Sequence, residues 1–145
     1  MFREKLIRAA LREEPAELVL KNARYLNVFS NEFLHGDIAI TDGRIAGVGS
    51  YSGKTELDLS DKTVVPGFID GHIHLESAVI SPLEFAKTVV QRGTTAVVAD
   101  PHEIANVLGG DGIEYMLQIT NGLPVDVFLM VPSCVPATPF DESGA

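Results

Sequence analysis

The sequence predicts an α/β fold in which a small antiparallel β domain precedes a series of parallel β/α units. Two observations support this prediction: short strand-like runs dominate the first 62 residues, and strand and helix patterns alternate from residue 63 onward. Alternation of this kind indicates βαβ units, whose crossovers are nearly always right-handed. The predicted organisation is an N-terminal helix at 1–15, a small β domain at 16–62 and β/α units at 63–145.

The composition is that of a folded, acidic protein. Of its 145 residues 46% are hydrophobic, and 20 acidic against 11 basic residues give a net charge of −9. Such a surface repels nucleic-acid phosphates, so nucleic-acid binding is disfavoured. No apolar run approaches the roughly 20 residues of a membrane span, and residues 1–14 do not resemble a signal peptide. The single cysteine, Cys134, forms no intrachain disulfide, and we expect a cytoplasmic protein.

An amphipathic helix is predicted at the start of the chain. Apolar residues recur at helical spacing over Phe2–Leu11, charged residues occupy the other positions, and Pro15 ends the pattern. We interpret this segment as a docking or interface helix, or as a surface helix of the small domain.

Short strands are predicted next. Leu18–Leu20 and Tyr25–Phe29 are rich in strand-forming residues, and Asp37–Thr41 and Arg44–Val48 flank the pair Asp42-Gly43. An Asp-Gly pair between two such runs predicts a tight hairpin, because both turn positions need positive φ. We therefore expect an antiparallel sheet or sandwich.

From Thr63 onward the pattern changes. Val64–Asp70 predicts a buried strand, and Thr94–Ala99 and Val125–Val131 predict two more. The first intervening helix is predicted to start with a capping box of Ser81 and Glu84 around Pro82, and to stop at Gly93. A second capping box, of Asp111 and Glu114, is predicted to start the next helix, which Gly122 and Pro124 close.

Two histidines follow the first of these strands. His72 and His74 are two residues apart, so in extended chain both imidazoles point to one face and can reach one metal ion. Two hydrogen-bonded loop histidines are the structural alternative, which an isolated His-x-His would favour. Here the pair closes the string Pro66–His74, which favours a metal site. We expect Asp70 to orient a histidine or the loop backbone.

Further polar residues lie near the same strand ends. Glu76 is suited to contact a metal, a bound water or a substrate, and a solvated loop carboxylate is the alternative. Asp100, His102 and Glu103 follow the second strand, where they can move protons or hold a polar substrate. Helix capping by Asp100 and a hydrogen-bonded loop histidine are the alternatives for that segment. Because α/β folds place their sites where parallel strands end, we predict one shared site.

Three other features are assigned structural roles. Cys134 follows the third strand, no histidine is placed to suggest a cysteine nucleophile, and we expect a small buried residue. Gly109–Gly112 lacks the Lys-Ser/Thr of a P-loop and is interpreted as the turn before a helix. His35 is expected at the surface of the β domain.

The string Pro66–His74 resembles the first barrel strand of the amidohydrolase superfamily. Further segments narrow the resemblance to the adenine deaminases of that superfamily: His74–Ser77, Gly93–Thr95, Asp100–Val107 and Val131–Pro139. Asp42–Ile45 and the strands around it resemble the small β domain that precedes the barrel in these enzymes. The resemblance covers nearly the whole chain beyond its first helix.

This resemblance implies a fold, a reaction and a metal. The fold is the start of a TIM-type (β/α)8 barrel, and the reaction is hydrolysis of adenine to hypoxanthine and ammonia. By resemblance His72 and His74 ligate a divalent metal, with manganese as the first expectation and iron or zinc as the alternatives. Four further residues are candidates for catalytic roles that stay open: Glu76, Asp100, His102 and Glu103.

Length separates this chain from a complete enzyme of that kind. A (β/α)8 barrel needs about 250 residues, whereas 71 residues follow His74. That length provides three strands, so we expect the N-terminal portion of an adenine deaminase that is inactive as an isolated chain. An open three-stranded sheet exposes unpaired edges, and a homo-oligomer would cover one of them.

Two other functions remain open. The His-x-His strand is shared with amidohydrolases that cut cyclic amides, such as dihydroorotases and hydantoinases, although the Asp100–Val107 segment favours the deaminase. A non-catalytic binding or assembly module is compatible with the short length and the amphipathic first helix.

Overall fold

The chain divides into two compact units, Met1–Pro66 and Gly67–Ala145. The computed structural model describes residues 2–133 and residue 135. Cys134, for which we predict a buried structural role, lies outside the described residues. Within the described part of the chain, no helix combines the length and the apolar character that crossing a membrane requires.

The first unit consists of one helix and a five-stranded sheet. The elements are α1 (Phe2–Ala10), β1 (Ala16–Asn27), β2 (Glu32–Thr41), β3 (Arg44–Gly49), β4 (Gly53–Asp58) and β5 (Thr63–Val64). The strand order is β3-β2-β1-β4, and β5 also pairs with β1. β2 is antiparallel to both β1 and β3, whereas β4 and β5 run parallel to β1. The sheet is therefore mixed, and the prediction of an antiparallel sheet is wrong for its last two strands.

The carboxylate of Asp37 binds the connection between β3 and β4. Its Oδ2 accepts hydrogen bonds from Lys21 Nζ at 2.6 Å and from the Tyr51 backbone N–H at 3.1 Å, and its Oδ1 accepts from the Asn22 N–H at 3.1 Å. Asp37 is buried. These bonds tie Tyr51, in the connection between β3 and β4, to β1 and β2, and β4 then pairs with β1 on the side away from β2.

The predicted hairpin is confirmed. Asp42 and Gly43 have φ values of 51° and 67°, and the flanking Thr41 and Arg44 are paired. The two strands predicted near Leu20 and Tyr25 are instead one strand, β1, with an irregularity between Leu20 and Ala23.

Apolar side chains are exposed on this unit around a cavity of about 610 Å³. Six of its lining residues are large hydrophobics that remain accessible to solvent: Val28, Phe29, Leu34, Ile45, Val48 and Val65.

The second unit is a three-stranded parallel sheet with helical connections. Its elements are β6 (Phe68–Ile73), a 3₁₀ turn (Glu76–Ala78), α2 (Pro82–Val90), β7 (Thr94–Ala99), α3 (His102–Leu108), α4 (Gly110–Thr120) and β8 (Asp126–Leu129). The strand order is β6-β7-β8, with parallel pairing throughout. Residues from α2, β7 and α4 form the core, among them Phe85, Val97 and Met116. The predicted β/α alternation is confirmed.

The region predicted as one buried strand contains two short ones. Thr63–Val64 pairs with β1, and Phe68–Ile73 pairs with β7. Phe68 and Ile69 are exposed rather than buried, because within the described residues β6 is an edge strand of its sheet.

The helix starts agree only in part with the predicted capping boxes. Ser81 Oγ accepts from the Glu84 N–H at 3.3 Å, but the Glu84 carboxylate binds Lys87 instead of closing the box. The box predicted at Asp111 is wrong, since α4 begins at Gly110 without a side-chain cap. Helix α3 was not predicted; Gly109, at φ 60°, lets one helix follow directly on another.

Candidate metal centre

The candidate site lies where β6 and β7 end. His72 lies near the end of β6, His74 follows that strand, and Asp100 follows β7. The Asp100 N–H donates to the Ile73 carbonyl at 2.9 Å, which keeps the two strand ends side by side. Asp70 Oδ1 accepts from the His72 backbone N–H at 3.1 Å, so Asp70 orients the backbone at this point rather than an imidazole.

Three side chains converge with the spacing of metal ligands. One potential ligand atom from each of His72, His74 and Asp100 lies within 4.8 Å of the others. The two Nε2 atoms are 3.2 Å apart. Two imidazole nitrogens at about 2.1 Å from one tetrahedral ion are separated by about 3.4 Å, so the observed spacing suits a shared ion.

The surroundings of Asp100 also fit a cation. Its Oδ1 is buried and accepts no hydrogen bond within the described residues. A buried carboxylate oxygen without a partner carries a desolvation cost that a bound cation would remove. The donor set of two imidazoles and one carboxylate is one that zinc, iron and manganese accept.

Glu103 contacts Nδ1 of His74, the ring nitrogen that is not paired with His72. Its Oε2 is 3.1 Å from His74 Nδ1, and its Oε1 accepts from Ser77 Oγ at 2.7 Å. Partial burial by itself would raise the pKa of Glu103, but the hydrogen bonds from Ser77, its own backbone and His74 bring this pKa below its ordinary value. Glu103 is therefore an ionised carboxylate at neutral pH, with both oxygens engaged.

His102 and Glu76 complete the group. His102 is buried in the first turn of α3, with Nδ1 3.6 Å from Asp100 Oδ2 and its ring 6.0 Å from that of His74. Glu76 Oε1 accepts from the Ile104 N–H at 3.3 Å, while its Oε2 is buried with no hydrogen-bond partner within the described residues. The structure thus brings all six residues that the sequence predicts for the site to one end of the sheet.

The sequence analysis did not single out Ser77. Its hydroxyl lies three residues after His74, which is the separation that one 3₁₀ turn brings back toward the strand end. The spacing from His74 therefore indicated that Ser77 could lie near the strand end. Its hydrogen-bond partner could not be predicted, because α3 places Glu103 opposite the turn.

Known proteins match this chain over nearly its whole length. The chain is 57% identical to an adenine deaminase of Clostridium acetobutylicum over 142 residues, which cover 98% of this chain and 25% of that protein. It is also 57% identical to an adenine deaminase of Methanoregula boonei over 141 residues, covering 97% of this chain and 25% of the relative. The chain spans about a quarter of the length of the curated relatives it matches.

A solved structure and a family match complete the comparison. The D-hydantoinase (dihydropyrimidinase) from Thermus sp. superimposes with a TM-score of 0.60 at 19% identity, over 83% of this chain and 29% of that one, a likeness of fold alone. The Amidohydrolase family matches residues 63–145, a range that includes every residue of the candidate site. Since that match extends over more than half of the sequence, the chain belongs to the amidohydrolase family.

Proposed function

We propose that this chain supplies the first metal-binding strand of an adenine deaminase, which converts adenine and water to hypoxanthine and ammonia. The observation that carries the proposal is the pair of Nε2 atoms of His72 and His74, 3.2 Å apart at the carboxyl end of a parallel strand. The relatives that carry the name adenine deaminase match nearly the whole of this chain, which supports that reaction over other hydrolyses.

His72 and His74 are the proposed ligands, and Asp100 is a third donor within reach of both. A divalent ion held there would lower the pKa of a bound water to about 7 and so supply a nucleophile at neutral pH. Manganese is the metal we propose, with iron and zinc as alternatives that the same donors accept. The start of a (β/α)8 barrel is the proposed setting for these residues, supported by the parallel order β6-β7-β8.

The remaining candidates receive different proposed roles. His102 is buried beside Asp100, and we assign to this pair the holding of the substrate or the transfer of a proton near it. Glu76 has one oxygen on the backbone of Ile104, so we propose that it anchors the site. In the isolated chain we expect no turnover, because the chain spans only about a quarter of the length of the adenine deaminases that it matches.

A chimera tests the reaction directly. The first quarter of the Clostridium acetobutylicum adenine deaminase would be replaced by this chain, and ammonia release from adenine would be measured after loading with Mn²⁺. We expect turnover in the chimera, none in the isolated chain, and none in the chimera with His72→Ala. A soluble, metal-loaded chimera that opens a hydantoin or dihydroorotate ring and leaves adenine intact would overturn the proposal in favour of a cyclic amidase.

Homo-oligomer formation is a separate proposal. It is supported by the exposed apolar side chains around the cavity of the first unit, which include Phe29 and Ile45. Light scattering during size-exclusion chromatography tests it, and a monomer at high micromolar concentration would contradict it. Cytoplasmic localisation stays a prediction.

A further inference from the structure

We propose that Ser77 and Glu103 form a support that fixes the tautomer of His74, so that its Nε2 lone pair faces the metal site before any metal arrives. This inference deepens the proposed function. The hydrogen bonds are argued from the geometry alone, and only their purpose, to prepare a metal ligand, rests on the proposed function. It makes Glu103 a positioning residue, in contrast to the catalytic role that the sequence analysis considers for it.

The geometry of the hydrogen bonds determines where the proton lies. Glu103 Oε2 is 3.1 Å from His74 Nδ1. At neutral pH, well above the ordinary glutamate pKa of about 4.3, a carboxylate accepts hydrogen bonds and has none to donate, so a hydrogen bond between these two atoms requires the proton on Nδ1. In a neutral imidazole the other nitrogen then has a free lone pair, which is the form that ligates metals. That nitrogen, Nε2, is the atom 3.2 Å from His72 Nε2.

Ser77 extends this support by one residue. Its Oγ donates to Glu103 Oε1 at 2.7 Å, the oxygen that His74 does not use. Ser77 belongs to the 3₁₀ turn directly after His74, whereas Glu103 belongs to α3. The three side chains therefore close a ring between two elements, in which the carboxylate cannot rotate away from His74 without losing both bonds. Partners of this kind beyond the ligands commonly set ligand orientation and metal affinity.

Both oxygens of Glu103 have a partner within the chain, Oε2 at His74 and Oε1 at Ser77. These two bonds account for the position of Glu103, which is why we assign it a positioning role.

The first test reads the tautomer of His74 in the 145-residue chain with neither metal nor substrate present. Long-range ¹H–¹⁵N correlation NMR at about pH 8, well above the ordinary histidine pKa of about 6.5, distinguishes the two neutral forms. We expect His74 to be protonated at Nδ1 in the large majority of molecules. Exposed His35, on β2, serves as the reference for a histidine without this support. A His74 found mainly in the Nε2–H form would overturn the proposal.

Variants then separate the support from the general stability of the fold. Glu103→Ala should abolish the tautomer preference and weaken Co²⁺ binding about 10- to 100-fold. Ser77→Ala should weaken the tautomer preference and Co²⁺ binding by a smaller factor than Glu103→Ala does. Ser77→Thr keeps a hydroxyl at this exposed position and should restore both. Ser50→Ala and Glu114→Gln, at exposed positions elsewhere, are the matched controls and should match the original chain.

These readouts fail independently of the deaminase proposal. Unchanged tautomer and Co²⁺ affinity in both Ser77→Ala and Glu103→Ala, with the helical circular dichroism signal preserved, would reject the support. A chimera that fails to deaminate adenine while His74 keeps its Nδ1 proton would reject the proposed reaction and leave the support in place.

Discussion

Glu76 Oε1 accepts a hydrogen bond from the backbone N–H of Ile104, 3.3 Å away, although 28 residues separate the two in the chain. The bond joins the 3₁₀ turn that follows His72 and His74 to the first turn of α3. Backbone N–H groups in a first helical turn have no partner within the helix, so this carboxylate replaces a missing cap. It fixes the position of His102 and Glu103 relative to His74.

Removing this carboxylate should destabilise α3. We expect Glu76→Ala to lower the free energy of unfolding of the second unit by about 1 kcal/mol, the usual loss for a missing helix cap, while Glu76→Gln retains an acceptor and loses less. Urea unfolding followed by circular dichroism at 222 nm measures the difference. Exposed Glu114→Gln is the control for charge removal, and an unchanged midpoint in Glu76→Ala would contradict the anchoring role.

The two histidines should dominate metal binding by this chain. His72→Ala and His74→Ala are each expected to weaken Zn²⁺ binding by more than about tenfold, or ~1.4 kcal/mol, because each removes one of three converging donors. Isothermal titration calorimetry on chain freed of metal with a chelator provides the affinities. His35→Ala, at an exposed position in the first unit, should bind as tightly as the original chain. Equal weakening in all three variants would argue against a defined site.

Two glycines of α4 should respond in opposite ways to alanine. A Cβ on Gly112 would lie 2.6 Å from the Ile104 carbonyl oxygen, and the backbone of α3 would have to move. We therefore expect Gly112→Ala to cost about 1–3 kcal/mol of stability, as overpacking does. A Cβ on Gly110 meets nothing within 4 Å, so Gly110→Ala should be neutral or slightly stabilising.

Chemical denaturation of the two variants measures this contrast. Equal stability of both would mean that α3 and α4 are packed less closely than the structure has them.

The stability of the first unit should fall at acid pH because of Asp37. Burial by itself would raise the pKa of Asp37, but hydrogen bonds from Lys21 and the backbone of Tyr51 and Asn22 bring it below its ordinary value. A carboxyl whose folded pKa is depressed stabilises the fold above its unfolded pKa of about 3.9, and this contribution is lost as the pH falls through the folded pKa.

Thermal unfolding between pH 7 and pH 2 tests this dependence, with Asp37→Asn as the comparison. The variant should be less stable at neutral pH by about 1–3 kcal/mol, the cost of weakening a buried hydrogen-bond acceptor, and its stability should change less with acid. Parallel pH profiles for the two proteins would exclude Asp37 as the cause.

Local sequence patterns predicted the secondary structure correctly wherever a few adjacent residues specify the backbone conformation. Asp42-Gly43 supplied a turn that needs positive φ, Ser81-Pro82 began a helix, and Thr94–Ala99 is a strand with the bounds that the sequence predicts. The same holds for the chemistry, since His72 and His74 share a face because alternate residues of a strand do so.

Local sequence patterns gave wrong or no predictions where the structure depends on contacts between residues that are distant in the chain. Asp111 has the sequence of a helix cap, yet α4 already begins at Gly110, directly after Gly109 ends α3. β4 pairs parallel to β1 across the sheet, and buried Asp37 binds groups that lie 14 to 16 residues away in the chain; no local pattern indicates either.

By itself, then, the sequence determined the β/α alternation of the second unit, the side-by-side placement of His72 and His74, and the strand ends at which the candidate site is built. Only the tertiary structure decided what each carboxylate does, since Glu76 faces a backbone N–H and Glu103 faces His74 and Ser77. The physical reason is that residue type fixes which atoms can donate or accept, while the packing of α3 against the strand ends fixes which partners those atoms meet.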